Sequence, residues 1–173
     1  MNYCNIKKCD IADGPGVRVS LFVSGCRNHC KGCFNESTWD FDAGQKFTIE
    51  TTSEIMNELD KNYVYGLTVL GGDPFEPENI AEVENLCMNV KIEHPDKTVW
   101  LYTGYKFEDF KYNPIMQYLD VVVDGRFVEE KKDLSLRFRG SSNQRLIDVQ
   151  KSLKAGKVVE WVDKDYKERM WMK

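Results

Sequence analysis

Val17-Arg-Val-Ser-Leu-Phe-Val-Ser-Gly-Cys26-Arg-Asn-His-Cys30-Lys-Gly-Cys33 joins an alternating apolar run to three closely spaced cysteines. Val17, Val19, Leu21 and Val23 fall on one face of an extended chain, so the first half predicts a strand. The thiols then lie just beyond its C-terminal end. At this spacing, with no fourth cysteine close by, they can converge on one metal centre and leave it a ligand short. Structural zinc sites close with four protein ligands, and a simple electron-carrying iron-sulfur cluster takes four cysteines. Three cysteines on a 4Fe-4S cube leave one iron free to bind a small molecule. Gly32 suits such a loop, because a chain wrapped tightly around a cluster needs a residue that tolerates positive φ.

The cysteines alone leave zinc open, with His29, Cys4 or Cys9 as the fourth ligand. His29 sits between two cysteines and would have to point back at the same ion, which favours a solvent-facing loop residue. The chain has six cysteines in 173 residues. No signal-like apolar run opens it and no segment is long enough to span a bilayer, so a cytoplasmic location and no membrane partner are expected. In a reducing compartment the cysteines read as metal ligands or buried thiols rather than disulfides, with Cys4, Cys9 and Cys87 incidental. A net charge of -4 argues against a nucleic-acid partner.

Downstream of the cysteine loop the chain alternates strand and helix signals. Asp13-Gly14-Pro15-Gly16 is turn chemistry before the first strand. Residues 34–47 read as irregular, with Trp39 and Phe41 folded over the site or into the core. Thr51-Thr-Ser-Glu54 predicts a capping box and a helix to about Lys61. Leu67 to Leu70 is a short strand ending in Gly71-Gly72-Asp73-Pro74. Pro77 opens a helix over 78–93, closed by Pro95. Thr98 to Thr103 is a strand, 108–118 a helix disturbed by Pro114, and Asp120 to Asp124 a strand that runs into Gly125. Leu146 to Val149 reads as a last strand, and Val158 to Val162 as an edge strand or docking tail. This order predicts an α/β fold of mostly parallel strands joined by right-handed crossovers, too short for a closed barrel and so a partial, open (β/α) barrel. One domain over 1–173 is expected. In parallel folds of this kind ligands bind at the carboxyl ends of the strands, where these glycine-bearing loops would meet.

Gly71-Gly72 removes two side chains where something must approach the backbone, and Asp73 places a carboxylate beside them. That combination suits an amino acid's ammonium and carboxylate. Together the three-cysteine loop and the Gly-Gly-Asp turn resemble the radical S-adenosylmethionine superfamily. Gly32 departs from the superfamily pattern, which usually has an aromatic residue before the third cysteine. Gly-Cys33-Phe34-Asn, followed by Ser37-Thr38-Trp39, instead resembles the anaerobic ribonucleotide reductase activating proteins of the glycyl radical activase branch. Asp13-Gly-Pro-Gly16, Leu21-Phe-Val-Ser-Gly-Cys26, Gly71-Gly-Asp-Pro74, Thr103-Gly-Tyr105, Val123-Asp-Gly125 and Arg139-Gly-Ser-Ser-Asn-Gln144 follow in that family's order. Beyond about Asp148 the likeness thins, so 150–173 is expected to be an extension particular to this chain.

The resemblance implies a barrel of the radical S-adenosylmethionine type and an oxidoreductase. A 4Fe-4S cluster held by Cys26, Cys30 and Cys33 would reductively cleave S-adenosylmethionine and place a glycyl radical on anaerobic ribonucleoside-triphosphate reductase. It further implies cofactor contacts from Gly32, Cys33 and Phe34, an amino-group site at Gly71, Gly72 and Asp73, and a low-potential electron donor such as flavodoxin. No catalytic side chain beyond the cluster and its cofactor is required. Thr103 and Asp124 are candidates either to face the cofactor or to close turns, and Arg139 with residues 140–143 either to grip the partner or to form a solvated turn. Two alternatives remain at this point: activation of another glycyl radical enzyme of the formate-lyase type, and a zinc-bound module without catalysis.

Overall fold

The computed structural model describes residues 1–163. Its centre is a seven-stranded sheet. In chain order the strands are β1 (Asn2–Asp10), β2 (Val17–Val23), β3 (Gln45–Lys46), β4 (Val64–Gly71), β5 (Thr98–Tyr102), β6 (Val121–Asp124) and β7 (Arg145–Asp148). The helices are α1 (Ile49–Leu59), α2 (Ile80–Glu93), α3 (Phe107–Phe110) and α4 (Val149–Ala155). The spatial order is β3-β1-β2-β4-β5-β6-β7. β2, β4, β5 and β6 pair in parallel, as expected from the alternating strand and helix signals. The flanks are antiparallel: β1 pairs with β2 and β3 on one side, and β7 with β6 on the other. All four parallel strands therefore deliver their following loops to the same edge.

The strand expected to be first is thus the second. β1 escapes the sequence because its pairing with β2 shifts register between Tyr3 and Asn5 and again between Lys7 and Asp10. Only Tyr3 and Asp10 of its nine residues are buried, so no alternation builds up. The cap of α1 also moves. It is Thr48, whose N–H donates to the Thr51 hydroxyl at 3.2 Å, so Thr51 sits inside the helix instead of opening it. α2 starts at Ile80 and leaves Pro77 in the preceding turn. The expected helix over 108–118 is divided into α3 and a 3-10 turn at Pro114–Tyr118, because Pro114 has no N–H to continue the ladder.

The two sheet faces are covered differently. Val19, Leu21 and Val23, Leu67 and Val69, Val99 and Leu101, and Val122 pack with Ile55 and Leu59 of α1 and Val83, Leu86 and Val90 of α2. At about 1.5–3 kcal/mol for each fully buried aliphatic side chain, this helix-covered face supplies most of the hydrophobic stabilisation. Cys87 belongs to it, with its thiol pushed up to about 12 by burial, which makes it an inert core residue. On the opposite face Trp100, Val121 and Val123 meet Tyr102, Phe138, Leu146 and Trp161. Loops and the chain after α4, rather than helices, cover that face.

Purely parallel strands need both faces covered, and here the second cover is incomplete, which leaves a cavity. Arg18 closes the sheet beneath it. Fully buried, its guanidinium donates to the hydroxyls of Thr68 (2.7 Å) and Thr98 (2.9 Å) and to the carbonyls of Leu67 and Thr98, stapling β2, β4 and β5. The expected tail strand is reduced to one bridge between Ile147 and Glu160, after which Trp161 packs edge-on against Trp100 at 4.9 Å. The remainder of the expected extension, 164–173, lies outside the described residues. Among the described residues no helix is long and apolar enough to cross a membrane.

Candidate active site

β2 hands the chain to the cysteine loop through Ser24 and Gly25. Gly25 has φ +94, and a Cβ there would lie 2.2 Å from the Phe41 ring. The loop folds back on its own continuation: Gly25 N–H donates to Thr38 O at 2.8 Å and Cys26 N–H to Trp39 O at 3.0 Å. Phe41 therefore packs beside Gly25, outside both the core and the cavity lining where it was expected, and Gln45–Lys46 of the stretch expected to be irregular pair with β1. Two more positive φ values, at His29 (42°) and Gly32 (69°), bend the loop so that Cys26, Cys30 and Cys33 line one cavity of about 520 Å³. Phe34, Gly71, Gly72, Asp73, Thr103 and Arg139 line it too.

The donor chemistry suits an iron-sulfur cluster. Cys33 Sγ accepts the N–H of Asn35 at 3.4 Å. Burial pushes the Cys26 thiol up, and the Asp73 charge adds to that effect. Among the described residues no group of three or more His, Cys, Asp or Glu side chains closes around a single metal ion. The candidates for a fourth ligand turn elsewhere. His29 stacks on Trp39 (4.6 Å, 15°) in a separate recess with Phe41. Cys4 Sγ lies 3.1 Å from the Ser24 hydroxyl, and Cys9 is exposed.

The glycine pair is built into the same structure. Gly72 N–H donates to Val23 O at 2.7 Å, and a Cβ on Gly72 would sit 2.5 Å from Gly25 O. Gly71 has φ +102 and packs against the Phe22 and Val23 backbone. A side chain at either position would force the two loops apart.

The Asp73 carboxylate is already filled. Oδ1 accepts from Phe75 N–H (3.0 Å) and the Thr103 hydroxyl (2.8 Å). Oδ2 accepts from Gly104 N–H (2.8 Å) and the Asn28 amide (3.1 Å). A carboxylate has about four acceptor positions, so none is left over. Burial pushes its pKa up to about 6 against the opposing pull of those hydrogen bonds. Thr103 borders the cavity while its hydroxyl serves Asp73 and accepts Tyr105 N–H at 3.1 Å.

Asp124 is not on the cavity wall. It accepts from Phe107 N–H (2.9 Å) and pairs with Arg145, which also binds Glu108. Gly32 supplies its bend from behind the wall, where its Cα faces Glu129. Arg139 donates to Gln144 O at 2.7 Å, and Asn143 to Arg126 O, so residues 140–144 form a braced turn at the rim.

One buried group escaped the sequence reading. Glu76 is fully buried and accepts from Arg27, the residue after the first cysteine, through both main chain and side chain. The only local sign was a charged residue on each partner: Arg27 beside Cys26 and Glu76 between two prolines.

An α/β sheet whose loop edge gathers three cysteines at an open cavity defines a class, the single-cluster iron-sulfur domains. A family model described as a 4Fe-4S single cluster domain matches residues 12–147. Curated relatives narrow this further. The anaerobic ribonucleoside-triphosphate reductase-activating protein of Enterobacteria phage T4 is 49% identical over 146 residues, 84% of this chain and 93% of that protein. The proteins of the same name from Vibrio cholerae and Escherichia coli K12 are 43% and 41% identical over 148 residues, 83% of this chain and 96% of theirs. The chain belongs to the family of anaerobic ribonucleoside-triphosphate reductase-activating proteins.

Proposed function

We propose that this protein activates anaerobic ribonucleoside-triphosphate reductase by cleaving S-adenosylmethionine at a 4Fe-4S cluster and so placing a radical on a glycine of the reductase. One observation carries the reading. The three cysteines share a cavity with Gly71 and Gly72, whereas Cys4, Cys9 and His29 do not line it. Cys26, Cys30 and Cys33 would hold a cluster there without a fourth protein ligand. When bound, the group supplies the electron that splits the sulfonium into methionine and a 5′-deoxyadenosyl fragment able to take a hydrogen atom.

The residues of the chain bind, orient and shield. The main chain along Gly71-Gly72 lies bare beside the cysteines and offers the amino group of the cofactor a close approach. Asp73 holds that turn in place from behind. Cys33 and Phe34, bent inward by the turn at Gly32, face the same ligand. Phe34 is half exposed at the rim and packs edge-on against Phe127 at 5.2 Å, where it can exclude water once a partner segment enters. No proton-transferring side chain is required.

The face of the sheet without helices is, in this reading, the interior of a partial, open (β/α) barrel of the radical S-adenosylmethionine type. The whole of 1–173 acts as one domain, with 150–173 an extension of its own. An external low-potential donor such as flavodoxin supplies the electron, and the reductive chemistry places the protein in the cytoplasm.

The test is anaerobic reconstitution with iron and sulfide, followed by reductant and S-adenosylmethionine. The expected products are 5′-deoxyadenosine and, with the reductase present, a glycyl radical signal in electron paramagnetic resonance. A reconstituted, reduced protein that leaves S-adenosylmethionine intact would end the proposal.

A further inference from the structure

The four residues around Cys26 are all held by one segment, Asp73 to Asn79. Ser24 O accepts from the Asn79 side chain at 2.9 Å, and Gly25 O accepts Asp73 N–H at 2.8 Å. Arg27 donates its N–H to Glu76 Oε1 at 2.8 Å and Nη1 to Oε2 at 2.5 Å, and Asn28 donates to Asp73. Cys30 and Cys33 are different. Their own bonds stay inside the loop, from Cys33 N–H to Cys30 O and from Asn35 N–H to Cys33 Sγ, and the outward tie between them is an exposed ion pair of Lys31 with Glu129 at 2.9 Å. Cys26 is thus the fixed corner of the trio, and the other two cysteines follow it.

Glu76 is the hub of this grip. Its fully buried carboxylate also accepts the Tyr105 hydroxyl at 3.1 Å, which ties the loop after β5 to the same point. Its guanidinium partner sits over the Phe41 ring, with Cζ 4.4 Å from the ring centroid, the ring that fills the space beside Gly25. Glu78, half exposed, holds the outer side of the same guanidinium. Groups that orient metal ligands from one layer out commonly affect affinity by about 10–100-fold.

We propose that Glu76, acting through Arg27, is a positioning residue that sets Cys26, and with it the cluster, at a fixed attitude to Gly71-Gly72. The proposal rests on the cluster reading above. Because the carboxylate reaches the loop and the glycine-bearing segment together, its loss disturbs both iron retention and the approach of the cofactor to the open iron.

The experiment compares the full-length parent with Glu76→Gln, Arg27→Gln and Glu78→Gln after anaerobic reconstitution. Iron loss to a chelator is followed over time, and the reduced cluster is recorded by electron paramagnetic resonance with and without S-adenosylmethionine. Glu76→Gln and Arg27→Gln are expected to lose iron about tenfold faster than the parent and to show a weakened spectral change on addition of the cofactor. Glu78→Gln, which leaves the buried Glu76 contacts to Arg27 in place, should show a smaller change in both readings than Glu76→Gln. A role limited to stability would leave the cofactor-induced spectral change intact in the molecules that retain a cluster. Parental iron retention and an unaltered spectral change in Glu76→Gln would overturn the inference and leave the proposed function standing. Should Glu76→Gln fail to fold, Arg27→Gln decides by the same two readings, since its side chain is half exposed. A parent that takes up no cluster would overturn both.

Discussion

The main-chain nitrogen of Asp73 lies 2.8 Å from the carbonyl oxygen of Gly25, which makes the cysteine loop and the glycine turn one hydrogen-bonded unit. Gly72, between them in space, has no room for a methyl group, because its Cβ would meet Gly25 O at 2.5 Å. Gly72→Ala is expected to destabilise the protein by about 1–3 kcal/mol, the usual cost of overpacking against backbone. S-adenosylmethionine binding should fall in parallel. Thermal unfolding of the metal-free protein and equilibrium binding to the reconstituted one check the two effects separately.

Replacing the cysteines singly separates the ligands from the bystanders. Cys26→Ser, Cys30→Ser and Cys33→Ser should each bring reconstituted iron and sulfide close to background. Cys4→Ser loses a contact to Ser24 outside the cavity, and Cys9→Ser alters an exposed side chain. Both are expected to keep the parental iron content. Iron retained at the parental level in any of the first three would refute the three-cysteine assignment.

The parallel strands and the position of the two motifs were legible because local signals agreed there: alternation in Val17 to Val23, glycines at strand ends, and cysteines at short spacing. β1 was not legible, since its bulged register leaves only Tyr3 and Asp10 buried. The capping-box pattern singles out Thr51 with Glu54, but the helix caps on Thr48, whose N3 residue is Thr51, a partner outside the Glu/Gln pattern. Pro77 suggested a helix start, but Asn79 is the cap of α2, and its side chain bonds Ser24 and Asp73. The grip of Glu76 on Arg27 spans 49 residues, and the lone charge at each end does not reveal that the two meet. Likewise, the sequence presents Asp73 as an available carboxylate. Only the positions of Asn28, Thr103, Phe75 and Gly104 reveal that it is fully used.

Asp124 offers a contrast between a structural and a cofactor role. It is fully buried, pairs with Arg145 and accepts Phe107 N–H, and Arg145 in turn reaches Glu108. Removing the Asp124 carboxylate leaves the Phe107 N–H without its acceptor while the partly exposed Arg145 keeps Glu108, a loss of about 1–3 kcal/mol. Asp124→Ala should therefore lower the denaturant midpoint strongly. At a temperature where the variant is still folded, its iron content and its affinity for S-adenosylmethionine should equal those of the parent. A selective loss of cofactor affinity would instead place Asp124 at the site.

The acid pair of Asp10 and Asp13, the second of which lines the cavity, makes stability depend on pH. Burial, together with the hydrogen bond and charge of Asp10, raises Asp13 from 3.8 to about 7. Burial also pushes Asp10 up, but the hydrogen bonds it takes from Asp13, Ala12 and Ser20 outweigh that, and its pKa falls. A proton on Asp13, donated to Asp10, adds a partner to a buried carboxylate that otherwise has Ala12 N–H on Oδ1 at 2.9 Å and Lys7 Nζ 3.9 Å from Oδ2. The folded state thus binds this proton more tightly than the unfolded chain does. For a raised carboxyl, stability from the protonated form is complete below about pH 4 and is lost as pH rises through about 7. Asp73, raised to about 6, acts in the same sense over a narrower window. Asp13→Asn keeps a donor for Asp10 but cannot ionise. Its stability relative to the parent should therefore be greater at pH 8 than at pH 5, measured by denaturant unfolding of the metal-free protein at both values. An equal difference between variant and parent at the two pH values would mean that Asp13 does not hold its proton in the folded protein.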